Sequence, residues 1–178
     1  TPFIAQNTIY IHQSKSVFVF CRDWGMRVAA TVRRMCVDGT FRAAPKTHYQ
    51  LLTFHAICAN GSSFPIIHVL MCDKSFRSYR LVLRKIEERA RAMGLGPVFK
   101  RKDLVVSVDF ESALIKALRN AGAALHGCYF HLCQAVWRFV KTHSMSLRYN
   151  TDALFKARIR ALTAIVFLPG DDVPRHFQ

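Results

Sequence analysis

Apolar and polar positions along the first half of the chain follow a pattern that predicts β-strands. Short apolar runs cover residues 32–37, 50–58 and 64–71. The first run ends at Asp38-Gly39, and a turn separates the second run from the third. We therefore predict three successive antiparallel strands.

The second half of the chain changes to a helical period. Ser75 is placed to cap a helix whose apolar residues recur every three or four positions as far as Met93. Residues 104–108 form a β-branched run that suits a strand buried on both faces, and residues 111–121 form an amphipathic helix. One further strand and two further helices are predicted, at residues 124–130, 131–141 and 151–168.

The predicted order is three strands, helix, strand, helix, strand, helix. Several folds accommodate it, and it is the order of an α/β fold with an RNase H-like mixed sheet, in which a three-strand antiparallel meander precedes helix-linked parallel strands. In that topology the strand before Asp38 neighbours the strand before Asp109.

Asp38 and Asp109, 71 positions apart, are the candidate metal ligands. Two carboxylates on adjacent strand ends form a hard-oxygen site that suits Mg²⁺ or Mn²⁺. Two such ions would activate the attacking oxygen and stabilise the leaving oxygen in phosphodiester cleavage. The alternative is structural, because Asp-Gly is a turn former and an aspartate before a helix is a good N-cap.

Charge adds a partner to this picture. The chain has 26 Lys and Arg against 11 Asp and Glu, a net charge of +15 with neutral histidines, and such an excess attracts polyanions. Nucleic acid is the leading partner, with a merely solvated basic surface or an acidic membrane as alternatives. Residues 50–72 are uncharged and long enough to span a bilayer, but Asn60, Gly61 and Pro65 interrupt them, so we predict two strands and no membrane partner.

Histidines and cysteines offer a second candidate site. Cys128 and His131 have the spacing of zinc ligands where a strand end leads into a helix, but a zinc site needs further ligands, so zinc is not expected and a structural role is favoured. His55 and His68 are predicted to be core histidines. The six scattered cysteines suit buried, reduced thiols better than disulfides.

Basic residues around the helix after Cys128 and His131 are the candidate DNA contacts. Arg138, Lys141 and Arg148 lie near Trp137 in the sequence. Cations and aromatic rings together contact DNA by phosphate neutralisation and stacking. A tryptophan on an apolar helix is nevertheless more often a core residue.

Short motifs, in order along the chain, resemble the MULE (Mutator-like element) transposase domain. They are VDGTF at 37–41, YQLLT at 49–53, FP at 64–65, DKS at 73–75 with Tyr79, VDFE at 108–111, CYFHL at 128–132 with Gln134, and FLP at 167–169 with Asp172 and Val173. The resemblance covers residues 32–178.

This resemblance implies a DDE-type transposase, in which two aspartates and a glutamate bind two divalent metal ions. Water then cleaves DNA at a transposon end, and the freed 3′ hydroxyl attacks target DNA. Asp38 and Asp109 match the first two acids. The third acid of the family follows a helical insertion and is expected beyond Gln178, so Glu111 is not assigned to that role.

The resemblance also implies a domain division, a location and an assembly. We expect a lead-in segment over residues 1–31, a catalytic core over 32–145 and the start of the helical insertion over 146–178. A nuclear protein that forms a homodimer in the active complex is implied. The alternatives are a domesticated descendant that binds or regulates DNA without cutting it, and a ribonuclease of the same fold, which fits the metal site but not the motifs.

Overall fold

The computed structural model describes residues 9–14 and 16–169, and of residues 9–13 it describes the backbone only. Asp172 and Val173 of the last motif lie outside the described residues. The chain divides into two compact units, Thr1–His126 (unit 1) and Gly127–Gln178 (unit 2).

The described part of the chain contains one seven-stranded mixed sheet, with strand order β1-β2-β5-β4-β3-β6-β7. Strands β1, β2, β5, β4 and β3 pair antiparallel in that order, and β3 pairs parallel with β6. The fold is therefore mixed α/β. The elements are β1 (Ile9–Gln13), β2 (Val17–Cys21), α1 (Asp23–Thr31), β3 (Arg34–Thr40), β4 (Gln50–Ile57), β5 (Ser63–Met71), α2 (Phe76–Ala92), β6 (Val105–Val108), α3 (Ser112–Asn120) and β7 (Ala124–Gly127).

The predicted three-strand meander is confirmed as β3, β4 and β5. The end of its first strand was predicted wrongly, because β3 continues through Asp38 and Gly39 to Thr40. A Cβ on Gly39 would lie 2.9 Å from the side-chain oxygen of Gln50 on β4. Glycine is therefore the residue that leaves room for Gln50 here, and the Asp-Gly pair is paired strand rather than turn.

The prediction of residues 1–31 as a lead-in segment is corrected where those residues are described. Strand β2 pairs with β5 and buries Val17 and Val19 in the core. Helix α1 is tied to the rest of unit 1 by two arginines. Arg89 forms an ion pair with Asp23 at 3.0 Å, and Arg101 donates hydrogen bonds to the carbonyl oxygens of Ala30 and Val32.

Alternating residues of the strands build the core. Strand β4 alternates buried and half-buried positions along its whole length, as a strand with one covered face does. Helix α2 buries Tyr79, Val82, Leu83 and Ile86, and the predicted Ser75 cap is confirmed, because its side chain accepts a hydrogen bond from the Ser78 amide at 3.2 Å.

As far as residue 169, unit 2 consists of the end of β7 followed by helices and short connections, with α4 (Tyr129–Thr142), α5 (Ser146–Thr151), α6 (Ala153–Ala164) and a 3₁₀ turn at Ile165–Phe167. The predicted strand at 124–130 ends at Gly127, since Tyr129 and Phe130 begin α4. The predicted 151–168 helix starts later, at an Asp152 cap that accepts from the Phe155 amide at 2.9 Å. Helix α4 contacts α5 and α6, so the boundary predicted between residues 145 and 146 falls inside unit 2.

Two smaller predictions have mixed outcomes. No disulfide joins any of the six cysteines, but Cys72 is exposed and Cys21 is the buried thiol, whose pKa is raised by burial to about 12. None of the described helices is long and apolar enough to span a bilayer, and the uncharged stretch at 50–72 forms β4 and β5.

Candidate active site

Asp38 and Asp109 lie side by side at one edge of the sheet. The parallel pairing of β3 with β6 places Val37 opposite Val108, so the two aspartates occupy the next position on neighbouring strands. Adjacent strands are about 4.8 Å apart. Because Val37 is buried and strand side chains alternate, Asp38 leaves the face opposite the core, and Asp109 follows directly after the last residue of β6.

The Asp109 carboxylate is held by the backbone that follows it. Its Oδ1 accepts a hydrogen bond from the Glu111 amide at 3.1 Å, which is an Asx turn. Helix α3 begins one residue later, with Glu111 as its N-cap residue and no side-chain cap. The N-cap alternative for Asp109 is therefore wrong, and the turn instead orients its carboxylate.

Polar side chains continue across the sheet from Asp38. Asp38 pairs with Thr53, Thr53 with His68, and His68 with Phe20 on successive strands. Thr53 Oγ1 lies 3.4 Å from His68 Nδ1, and the Phe20 ring stacks on the imidazole at 5.6 Å. Burial, with a further contribution from His55, lowers the pKa of His68, so its neutral form is favoured. The prediction of core histidines is thus modified, because both histidines are half-buried and lie on the face of Asp38.

A buried polar network lies directly beside the Asp109 turn, and the sequence did not reveal it. Gln50 and Tyr79 are each 1% exposed, and the Gln50 amide donates to the Tyr79 hydroxyl at 2.7 Å. The Tyr79 hydroxyl also interacts with the Glu111 carboxyl group and lowers its pKa. The network joins β4, α2 and the start of α3, so it fixes the turn that carries Asp109.

The Glu111 carboxyl group of this network lies near the Asp109 carboxyl group. Burial raises the pKa of Glu111, and the Asp109 charge adds to the rise, against the Tyr79 hydrogen bond and the Lys74 charge. Burial also raises the pKa of Tyr79, with the two carboxylates adding to the effect. Tyr79 is therefore a neutral hydroxyl that positions Glu111. The motifs that contain Gln50 and Tyr79 could be recognised in the sequence, but the contact between the two side chains could not be predicted from it.

The donor set at the sheet edge fits a hard divalent cation. Asp38 and Asp109 offer carboxylate oxygens, the ligands that Mg²⁺ and Mn²⁺ prefer. Within residues 9–14 and 16–169, no group of three or more His, Cys, Asp and Glu side chains is arranged to hold a metal ion. The two aspartates alone are therefore not a complete ligand set for a metal ion.

Cys128 and His131 lie at the start of unit 2. Cys128 is the N-cap residue of α4 and His131 lies in its first turn, and both are half-buried. His143, a possible further ligand, lies at the far end of the helix, with its Nδ1 atom 2.9 Å from the Phe139 carbonyl oxygen. The structure thus separates His143 from the predicted pair by the length of α4.

The three basic candidates for DNA contact are exposed, and aromatic rings accompany two of them. Lys141 lies over the Trp137 ring at 5.9 Å, and Trp137 meets Tyr149 edge to face at 5.1 Å. Arg148 lies over Phe155 at 4.5 Å and pairs with Asp152 at 3.3 Å. Trp137 is 38% exposed, so the core alternative does not describe it.

The part of the chain that carries the two aspartates matches a known protein family. The family model of the MULE transposase domain matches residues 34–135, which is more than half of the chain. The chain belongs to the MULE transposase family. The MULE match begins with β3, includes the strand ends that carry Asp38 and Asp109, and continues through Cys128 and His131 into α4. Membership implies a transposase-related function and interaction with DNA. No curated protein matches the chain significantly.

Proposed function

We propose that this chain forms the RNase H-like catalytic core of a DDE-type DNA transposase, which cleaves phosphodiester bonds at transposon ends and transfers the freed strand to target DNA. The observation that carries the proposal is the β3–β6 register, which sets Asp38 beside Asp109 at the carboxyl ends of parallel strands. Both residues fall inside the family match.

The sheet supports the RNase H-like assignment through its connections. An antiparallel β3–β4–β5 meander is followed by α2, then by β6 parallel to β3, and then by α3 and β7. In open α/β sheets, ligands bind outside the carboxyl ends of the parallel strands. Strands β1 and β2 extend the sheet beyond β5.

In this proposal Asp38 and Asp109 hold two Mg²⁺ or Mn²⁺ ions with a third acid supplied from beyond Gln178. Such ions lower the pKa of bound water and stabilise charge on the attacking and leaving oxygens. The Asx turn at Glu111 keeps the Asp109 carboxylate in one orientation. The Gln50–Tyr79–Glu111 network holds that turn in place. Transposon ends, target DNA, a homodimer and a nuclear location belong to the same proposal.

Substitution of either aspartate tests the proposal in the full-length protein. Asp38→Asn or Asp109→Asn removes a ligand charge with little change of shape, so we expect DNA cleavage in Mg²⁺ or Mn²⁺ to fall to background while thermal unfolding stays close to that of the wild type. The matched control is Asp103→Asn, because Asp103 is an exposed aspartate of the same unit.

Two results would contradict the proposal. Cleavage at the wild-type rate by either variant removes the residue from the site. DNA binding without metal-dependent cleavage by the wild-type protein favours a domesticated DNA-binding descendant.

A further inference from the structure

A basic groove runs between α2 and α3 in unit 1, and neither the acid site nor the sequence motifs account for it. Its volume is about 470 Å³. One wall is formed by a single face of α2. Its residues are Arg80 and those four, seven and eleven positions after it, which lie on the same side of a helix. These wall residues are Arg80, Arg84, Glu87 and Arg91.

The other sides of the groove are small, neutral or apolar. Helix α3 contributes Ala117, Asn120 and Ala121, and Leu83 and Pro97 also line the groove. Lys100 adds a fourth cation. The α3 side thus carries no large side chain, and the three arginines of the α2 wall are exposed.

The charge of the groove is only weakly neutralised within the chain. Glu87 is its one carboxylate, and both of its oxygens accept hydrogen bonds from the backbone, from Val98 at 3.1 Å and from Phe99 at 2.8 Å. Among the ion pairs of the described residues, none involves Arg80, Arg91 or Lys100, whereas exposed Arg84 pairs with Glu88 at 3.6 Å. Three cations are thus available to an external anion.

Helices α2 and α3 both begin at the end of the sheet that carries the two aspartates, because each follows a strand that ends there. The groove lies further along the two helices, from Arg80 to Arg91 on α2 and from Ala117 on α3 to Ala121 beyond it. At a rise of 1.5 Å per residue, the arginine wall is about 16 Å long.

We propose that this groove binds the phosphate backbone of duplex DNA. A wall of about 16 Å corresponds to roughly five base-pair steps of 3.4 Å, and guanidinium groups make paired hydrogen bonds to phosphate oxygens. The contact is independent of sequence, because phosphates carry no base information. In the transposase proposed above, on which this role rests, the groove holds a duplex segment outside the acid site.

The experiment compares two triple variants of the 178-residue chain. Arg80→Gln/Arg84→Gln/Arg91→Gln removes the three positive charges of the α2 wall. Glutamine keeps the helix propensity close to that of arginine. The control, Arg22→Gln/Arg27→Gln/Arg33→Gln, removes the same charge from exposed positions of the same unit. Binding to a 20-base-pair duplex of arbitrary sequence is measured by fluorescence anisotropy over a series of KCl concentrations.

We expect the slope of log K against log salt to fall by two to three for the groove variant, at about 0.9 per phosphate contact, and by less than one for the control. Equal slopes for the two variants would overturn the proposal. Loss of affinity for single-stranded DNA or for polyglutamate, with the duplex slope unchanged, would also overturn it. The assay measures binding without divalent metal ions, so a failure of the cleavage proposal leaves the groove result standing.

Discussion

Units 1 and 2 bury their apolar residues to very different extents. Unit 1 has a continuous core of strand and helix side chains with little or no exposure. In unit 2, Val140 is the one buried side chain among the described residues. Its large apolar residues are instead exposed, namely Tyr129, Phe130, Trp137, Phe139, Leu147, Leu154, Leu162, Val166 and Phe167.

This difference indicates that unit 1 is stabilised by a core of its own and that unit 2 is not. Burial of apolar surface is the main force that stabilises a fold, so unit 1 has what an independent domain needs. Unit 2 has helical propensity and caps, but isolated helices of its lengths are marginal in water. We therefore expect stability to respond to substitutions in unit 1 and to be nearly insensitive to those in unit 2.

Truncation of matched phenylalanines should give the largest contrast. Phe54 on β4 is fully buried and packs 6.0 Å from the Phe99 ring, whereas Phe139 on α4 is 55% exposed. Phe54→Ala should lower the free energy of unfolding by about 3–5 kcal/mol, because it removes buried surface and leaves a cavity. Phe139→Ala should cost no more than about 0.5 kcal/mol.

Urea denaturation followed by circular dichroism measures both values. A cost for Phe139→Ala near that for Phe54→Ala would break the comparison, because it would mean that the α4 face is covered in solution.

Two glycines test how tightly α1 belongs to unit 1. A Cβ on Gly25 would lie 2.6 Å from the Ile66 carbonyl oxygen, while a Cβ on Gly96 would meet nothing within 4 Å. Gly25→Ala should cost about 1–3 kcal/mol, since α1 must move away from β5. Gly96→Ala should be neutral or slightly stabilising. Thermal unfolding of the two variants decides the matter, and equal midpoints would show that α1 docks loosely.

The smallest expected effect concerns pH and the half-buried sheet face. Burial lowers the pKa of His68 below 6.5, so the unfolded chain binds its proton more readily than the folded one. Its contribution to stability is complete above pH 6.5 and is lost as the pH falls towards the folded pKa. His68→Gln should therefore flatten the decline in unfolding free energy between pH 7 and pH 5.

The matched control for this titration is His143→Gln, which removes an exposed histidine. Unchanged pH dependence after His68→Gln would mean that the sheet face at His68 is open to water.

The periodicity of the sequence was sufficient to predict much of the sheet, whereas the choice of Asp38 and Asp109 rested on the resemblance to the MULE family. Alternation at 50–58 and 64–71 identified β4 and β5, and the β-branched run at 104–108 identified β6. Asp38 and Asp109 could be paired because strand order follows from the order of elements. This prediction uses only the pattern of neighbouring positions in the sequence, and it succeeds where one face of a strand is buried.

Prediction failed where a distant contact decides the structure. Asp38-Gly39 has the composition of a turn, yet the space beside Gly39 is filled by Gln50 from the next strand, so the chain continues as β3. The apolar run at Val17–Cys21 was not assigned, because its pairing partner β5 lies about fifty residues away. The contact of Tyr79 with Gln50 spans 29 positions, and neither residue type demands it.

The β3–β6 register also bears on how the chain reaches its native state. The β3–β4–β5 hairpins join residues close in sequence, whereas Val37 meets Val108 across a long loop. Closing a long loop costs entropy before any contact is gained, and non-local pairing is slow. Asp38 and Asp109 are thus brought together by one of the slower steps of folding. A nascent or misfolded chain with a formed meander accordingly lacks the acid pair, and the approach of these two side chains would report that folding is complete.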